Sequence, residues 1–163
     1  MQEINAKYNL KSLLENYRVV IPLIQRDYAQ GRKDKRTTEV LKKLLQDINT
    51  ALIDTNIGPL DLNFIYGKST NGKFIPLDGQ QRLTTLFLVY LFAYRDNDEC
   101  DFLGNFSYET RDSSRKFFKS LFENRKNIFI ETKSPSEIIT DEPWFADSWQ
   151  LDPTVQGALK TLD

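Results

Sequence analysis

An α+β fold is what this sequence predicts: a small mixed sheet framed by helices, followed by a mostly helical stretch. Three observations carry that expectation. Short β-branched or alternating runs occur at Arg18 to Ile21, Leu60 to Tyr66 and Lys73 to Leu77. Apolar residues recur every third or fourth position from Val40 to Leu52, and a helix apolar nearly all round follows directly on the last extended run. With 40% hydrophobic and 28% charged residues, 11 Phe and 7 Tyr among 163 residues, the chain can bury a sizeable core and is far from a disordered composition.

Each element has its own local reason. Asn9 to Asn16 reads as a short helix, with Leu10, Leu13 and Leu14 on one face and Asn9 as its cap. Arg18 to Ile21 is a strand that Pro22 stops, and the loop beyond it carries Gln25, Arg26 and Tyr28. Gln30 to Arg36 is polar and basic, as an exposed loop would be. Thr37 or Thr38 caps a helix to about Asp54, whose Leu41, Leu44, Leu45 and Ile48 face the core while Lys42, Lys43 and Gln46 stay in water. Leu60 to Tyr66 and Lys73 to Leu77 form a hairpin about Asn71 and Gly72, with Pro76 keeping the second strand at an edge or irregular near its end.

The central helix starts near Gly79 or Gln80 and runs to Tyr94; being apolar on almost every face, it is expected to be buried and its N-terminus held rigidly. The acidic stretch from Asp96 to Asp101 marks a boundary, dividing a core of residues 1–96 from a mostly helical extension, 97–163. Within the extension, 103–108 is a short segment, and Arg111 to Phe122, Ser136 to Thr140, Trp144 to Trp149 and Pro153 to Leu162 read as helical. Asp152 caps the last of these, with Pro153 at the first helical position. No helix stop signal precedes Asp163, so the extension is expected to be incomplete.

Charge and residue counts remove whole classes of function. Lys and Arg total 22 against 23 Asp and Glu, so no global positive field draws the chain to DNA or to an anionic membrane. Cys100 is the single cysteine, which excludes an internal disulfide framework and argues against a cysteine zinc site; a reducing cytoplasm is the expected compartment. No signal segment is evident, and the longest apolar run, Leu86 to Tyr94, is far short of the roughly 20 residues of a membrane helix. The Asn105 to Ser107 match to a glycosylation acceptor is therefore chance. Histidine is absent, which removes Ser-His-Asp triads, Cys-His dyads and His-metal nucleases.

What remains is chemistry built from Asp, Glu, Arg, Lys, Gln and backbone, and it concentrates in LDGQQRLTT, Leu77 to Thr85. A strand, then Asp78-Gly79, then a buried helix is an arrangement in which amides and the helix dipole converge on an anion. Gly79 would let a phosphate approach the backbone, Arg82 can offer a planar fork of donors, and Asp78 can hold magnesium or orient a water. Gln80 and Gln81 are donors, with Thr84 and Thr85 as support one turn on. The plainer alternative stays open on these residues alone, since Asp-Gly is commonly a turn and Gln-Gln-Arg a solvated helix start.

Taken together, VIPLIQRDYAQGR, LNFIYG, FIPLDGQQRLTTLFLVYLFAY and FSYETRDSSRKFF resemble the amino-terminal domain of the GmrSD family of modification-dependent restriction proteins, from about Val19 to Phe122, with Trp149 and DPTV looking like a continuation. The resemblance implies a fold akin to ParB and sulfiredoxin, NTP binding and hydrolysis in the DGQQR pocket, and a nuclease domain or subunit further on. Carried over by position, it implies Asp78, Gly79, Gln80, Gln81 and Arg82 as site residues, with Gln25 and Arg26 from the first motif. With the chemistry of the residues, Asp78, Gln81 and Arg82 are the expected catalytic residues, Gln25, Arg26, Gly79, Gln80, Arg82 and Thr84 the nucleotide-binding ones, and Asp78 the expected magnesium ligand. Modified DNA is an expected partner of the intact protein. A non-catalytic nucleotide-sensing or DNA-sensing module of ParB type is the alternative. Many relatives carry a Trp where this chain has Ala29, which puts stacking there in doubt.

Two features look like sites and are read as structure. Gly67-Lys68-Ser69 mimics the end of a P-loop, but the required earlier Gly falls at Leu62 and Asn71-Gly72 follows where a helix should begin. The run Arg32, Lys33, Lys35 and Arg36 reads as a solvated loop, and Phe117, Phe118 and Phe122 as core.

Overall fold

The computed structural model describes residues 7–22, 35–54, 56, 60–62, 64–109, 111–130 and 132–163, leaving aside the side chains of 36 and 37. In chain order the elements are α1 (Leu10–Asn16), β1 (Arg18–Ile21), α2 (Lys35–Ile53), β2 (Gly67–Thr70), β3 (Lys73–Pro76), α3 (Gln80–Ala93), β4 (Phe106–Tyr108), α4 (Asp112–Glu123), α5 (Pro135–Asp141) and α6 (Pro153–Leu162), with 3-10 turns at Asp101–Asn105, Arg125–Asn127 and Asp147–Leu151. This is the expected α+β class, with a small mixed sheet.

The strands are ordered β2, β3, β1, β4. Antiparallel pairing joins β2 to β3, while β1 runs parallel to both β3 and β4, with Val19 opposite Phe74 on one side and Phe106 on the other. Val19, Val20 and Ile21 are all buried, the uniformly apolar signature of a strand covered on both faces.

The hairpin is tighter than the alternation at 60–66 suggested. Its first strand is Gly67–Thr70, the polar segment that mimics a P-loop end, and residues Leu60 to Leu62 and Phe64 to Tyr66 are outside the sheet. Turn chemistry decides this: Asn71 and Gly72 both hold positive φ, 49° and 71°, the paired left-handed conformation of a two-residue hairpin. Such a turn fixes the register so that Gly67 must face Pro76.

One hydrophobic core runs through the molecule. Leu14 of α1, Val19 and Ile21 of β1, Leu83, Phe87 and Leu91 of α3, Phe106 and Tyr108 of β4, Phe117, Phe118 and Leu121 of α4, and Val155, Ala158 and Leu159 of α6 belong to a single cluster. Phe117 and Phe118 are wholly inside, as expected, and Phe122 packs against the cluster from its margin. A cut after residue 96 would remove β4 from the sheet and divide this core. By contrast, the apolar face of α2 is only half-buried at Leu41, Leu44, Leu45 and Ile48, and its Leu52 and Ile53 stand in water.

Candidate functional site at the tip of the buried helix

The hairpin delivers the chain directly to the tip of α3. Just past β3, Leu77 and Asp78 both donate their amides to the Tyr66 carbonyl, at 2.9 and 3.2 Å. Gly79 then turns the backbone into the helix at φ 81°, a left-handed conformation that disfavours any residue with a Cβ. Space imposes the same requirement, because a Cβ there would lie 2.7 Å from Ile65 Cγ1 and 3.3 Å from an Arg82 guanidinium nitrogen. On the side where a Gly79 side chain would project, the open approach expected for a phosphate is filled by Ile65.

Arg82 is engaged where the sequence pictured it free. Its Nη1 donates to the Leu62 carbonyl, its Nη2 donates to the Phe64 carbonyl at 3.0 Å, and Nη2 also stands 3.6 Å from Asp78 Oδ2. The planar fork, which matches two carbonyl oxygens as well as it matches a phosphate, here ties Leu62 and Phe64 to the helix. The Asp78 carboxylate remains largely in solvent.

The other motif residues face different ways. Gln80 is buried, and its Nε2 donates to the Pro76 carbonyl at 2.9 Å, clamping the helix start to the end of β3. Gln81 is half-buried, its carbonyl accepting the Thr85 hydroxyl at 3.1 Å. Thr84 lies wholly behind the tip: its hydroxyl donates to the Gln80 carbonyl at 2.9 Å and stands 2.6 Å from the Tyr108 hydroxyl, which is then the donor of that pair. The structure therefore brings Asp78, Gly79, Gln81 and Arg82 together at one helix end and places Gln80 and Thr84 beneath it. Gln25 and Arg26 lie outside the described residues, as do Arg32 and Lys33.

α3 begins with no side-chain cap and no acidic residue in its first turn. Its dipole therefore leaves partial positive charge at the tip, and the backbone is immobilised by the buried helix behind it. An exposed carboxylate beside such a tip suits magnesium, which takes one or two carboxylates and fills its remaining positions with water or phosphate oxygens. Asp78 meets that description.

Sequence reasoning missed two long-range ties. Tyr108 reaches Thr84 across 24 positions of sequence, and no local pattern announces that contact. Asp152, recognised as a helix cap, does more. It accepts from the Thr154 amide at 2.8 Å, from the hydroxyls of Ser113 and Ser114, and pairs with Arg111 at 3.3 Å, joining the first turns of α4 and α6. Burial works against its charge, yet the two serines, the amide and Arg111 together hold the carboxyl below its usual range. Two surface cavities of about 400 and 420 Å³ lie elsewhere, one beside Ser136, Lys160 and Asp163, the other beside Lys11, Glu99 and Asp101. Neither is lined by a residue of the Leu77 to Thr85 motif.

Among known proteins, the family model for the GmrSD restriction endonuclease, N-terminal domain, matches residues 10–162. No curated protein and no solved structure matches the chain.

Proposed function

The chain belongs to the family of GmrSD restriction endonuclease N-terminal domains, and from that membership we propose that it binds a nucleoside triphosphate at the tip of α3 and hydrolyses it to control a nuclease domain or subunit of a restriction or phage-defence protein. The observation that carries the reading is the start of a buried helix whose Gly79 cap supplies no side-chain bond, entered in a left-handed turn and flanked by the exposed carboxylate of Asp78. In this proposal the phosphates lie against the first amides of α3, where dipole and N-H groups converge. Gln81 orients the attacking water. The first motif contributes Gln25 and Arg26 as further nucleotide-binding residues in this reading.

Magnesium, when bound with the nucleotide, supplies charge neutralisation of the phosphates, and Asp78 is the residue to hold it. Arg82 lies beside the tip, but its guanidinium serves first to hold the Leu62 and Phe64 carbonyls. The same observation favours a second reading, a module of ParB type that senses nucleotide without turning it over, because the cation nearest the helix tip is already engaged. A cytoplasmic location belongs to the proposal, supported by Cys100 as a free buried thiol; among the described residues no helix is long and apolar enough to cross a membrane.

Calorimetric titration with the four NTPs and magnesium, paired with a phosphate-release assay, tests this directly. Binding that is abolished or severely weakened by Asp78→Ala supports the site, and phosphate release lost in Gln81→Ala supports turnover. Stoichiometric binding with no release selects the sensing module. Absence of binding by every NTP would end both readings.

A further inference from the structure

Nothing in the site so far holds a base, yet the segment tied to the helix tip presents two aromatic rings to solvent. Phe64 is 88% exposed and Tyr66 62%, more than any other described aromatic side chain, in a chain that packs Phe87, Phe102, Phe106, Phe117, Phe118 and Phe145 away from water. Between them, Ile65 turns inward onto Gly79. Phe64 and Tyr66 thus stand two residues apart, both exposed, on either side of a half-buried Ile65.

The backbone beneath the rings is held. The Phe64 carbonyl takes a proton from Arg82, and the Tyr66 carbonyl takes the amides of Leu77 and Asp78. Arg82 and Asp78 belong to the α3 tip, so the main chain carrying the two rings is hydrogen-bonded to the proposed phosphate site. An exposed aromatic ring on an anchored backbone loses little freedom when a flat ligand stacks on it.

We infer that Phe64 and Tyr66 are the stacking platform for the nucleobase of the nucleotide whose phosphates meet the tip of α3. This inference rests on the triphosphate reading above and extends it to the base. Stacking on a π-face is tolerant of base identity, so the platform predicts modest discrimination among the four NTPs. It also explains the engagement of Arg82: the guanidinium that fixes the Phe64 carbonyl keeps the platform in register with the tip.

Titration of the full chain with NTPs and with inorganic tripolyphosphate, both with magnesium, separates base from phosphate. The expected result is that NTPs bind on the order of ten-fold tighter than tripolyphosphate. Phe64→Leu and Tyr66→Leu each lose most of that advantage without changing tripolyphosphate affinity, and Phe64→Tyr retains it. Both positions are exposed, so the variants keep the wild-type fold. Equal NTP affinity in wild type and the leucine variants, with tripolyphosphate still bound, overturns the platform and leaves the phosphate site standing. Failure of the wild type to bind either ligand overturns both. Loss in the leucine variants of affinity for a single-stranded oligonucleotide, with NTP affinity unchanged, overturns the platform in favour of a nucleic-acid surface.

Discussion

Replacing Gly79 by alanine separates two physical demands placed on one residue. At φ 81° a Cβ meets the intrinsic penalty of the left-handed region, roughly 1–2 kcal/mol. The same Cβ would lie 2.7 Å from Ile65 Cγ1 and 3.2 Å from Cγ2, a close approach that forces the isoleucine to move and costs about 1–3 kcal/mol. Gly79→Ala is therefore expected to destabilise the chain by about 2–5 kcal/mol. Urea unfolding followed by tryptophan fluorescence reads this, because Trp149 is buried in the native core. Repeating the substitution in an Ile65→Ala background removes the clash and keeps the backbone strain, so the alanine should then cost only about 1–2 kcal/mol. An equal cost in both backgrounds refutes the packing of Ile65 over the helix tip. A cost below about 0.5 kcal/mol in the wild-type background refutes the left-handed turn itself.

Further expectations concern the ties around the tip. Arg82→Ala removes two charge-assisted hydrogen bonds and should cost about 2 kcal/mol while speeding limited proteolysis within residues 60–66; Arg82→Lys should not restore either, since an ammonium lacks the planar fork. Unchanged proteolysis in the alanine variant would contradict the tie. Tyr108→Phe keeps the ring stacked on Phe118 and removes only the hydroxyl, costing about 1 kcal/mol, and amide exchange at Leu83 and Thr84 should accelerate, with identical exchange rates counting against the Thr84 contact. Asp152→Ala should cost about 2–3 kcal/mol through the lost cap and the two serine bonds. Because the folded carboxyl sits below its ordinary value, its contribution is complete above that value and drains away as pH falls from about 4 downward. Asp152→Asn should flatten that acid limb in stability measurements from pH 5 to 2.5, and a limb as steep as the wild type's would exclude Asp152 as its source.

Much of this protein was decided locally, and to that extent the sequence alone determined it. Asn9 and Asp152 cap the helices they were expected to cap, the periodicity of Leu83, Phe87 and Leu91 buries α3, and Asn71-Gly72 sets the hairpin turn. Such features rest on neighbours within one turn of chain, so composition and spacing suffice. Family membership was legible for the same reason, being carried by contiguous motifs.

Only the tertiary structure decided what each motif residue touches. Alternation at 60–66 predicted a strand, but the turn register moved the pairing to Gly67–Thr70 and left Ile65 to pack over Gly79 at the helix tip. Arg82 meets carbonyls 18 and 20 positions away, and Thr84 meets Tyr108. α2 has a strongly periodic apolar face, yet periodicity states which side is greasy and not whether anything packs there, and Leu52 and Ile53 remain in water. The physical reason is the same throughout: capping and periodicity are short-range and repeat along the chain, whereas a guanidinium or hydroxyl takes whichever partner the folded topology brings within about 3 Å.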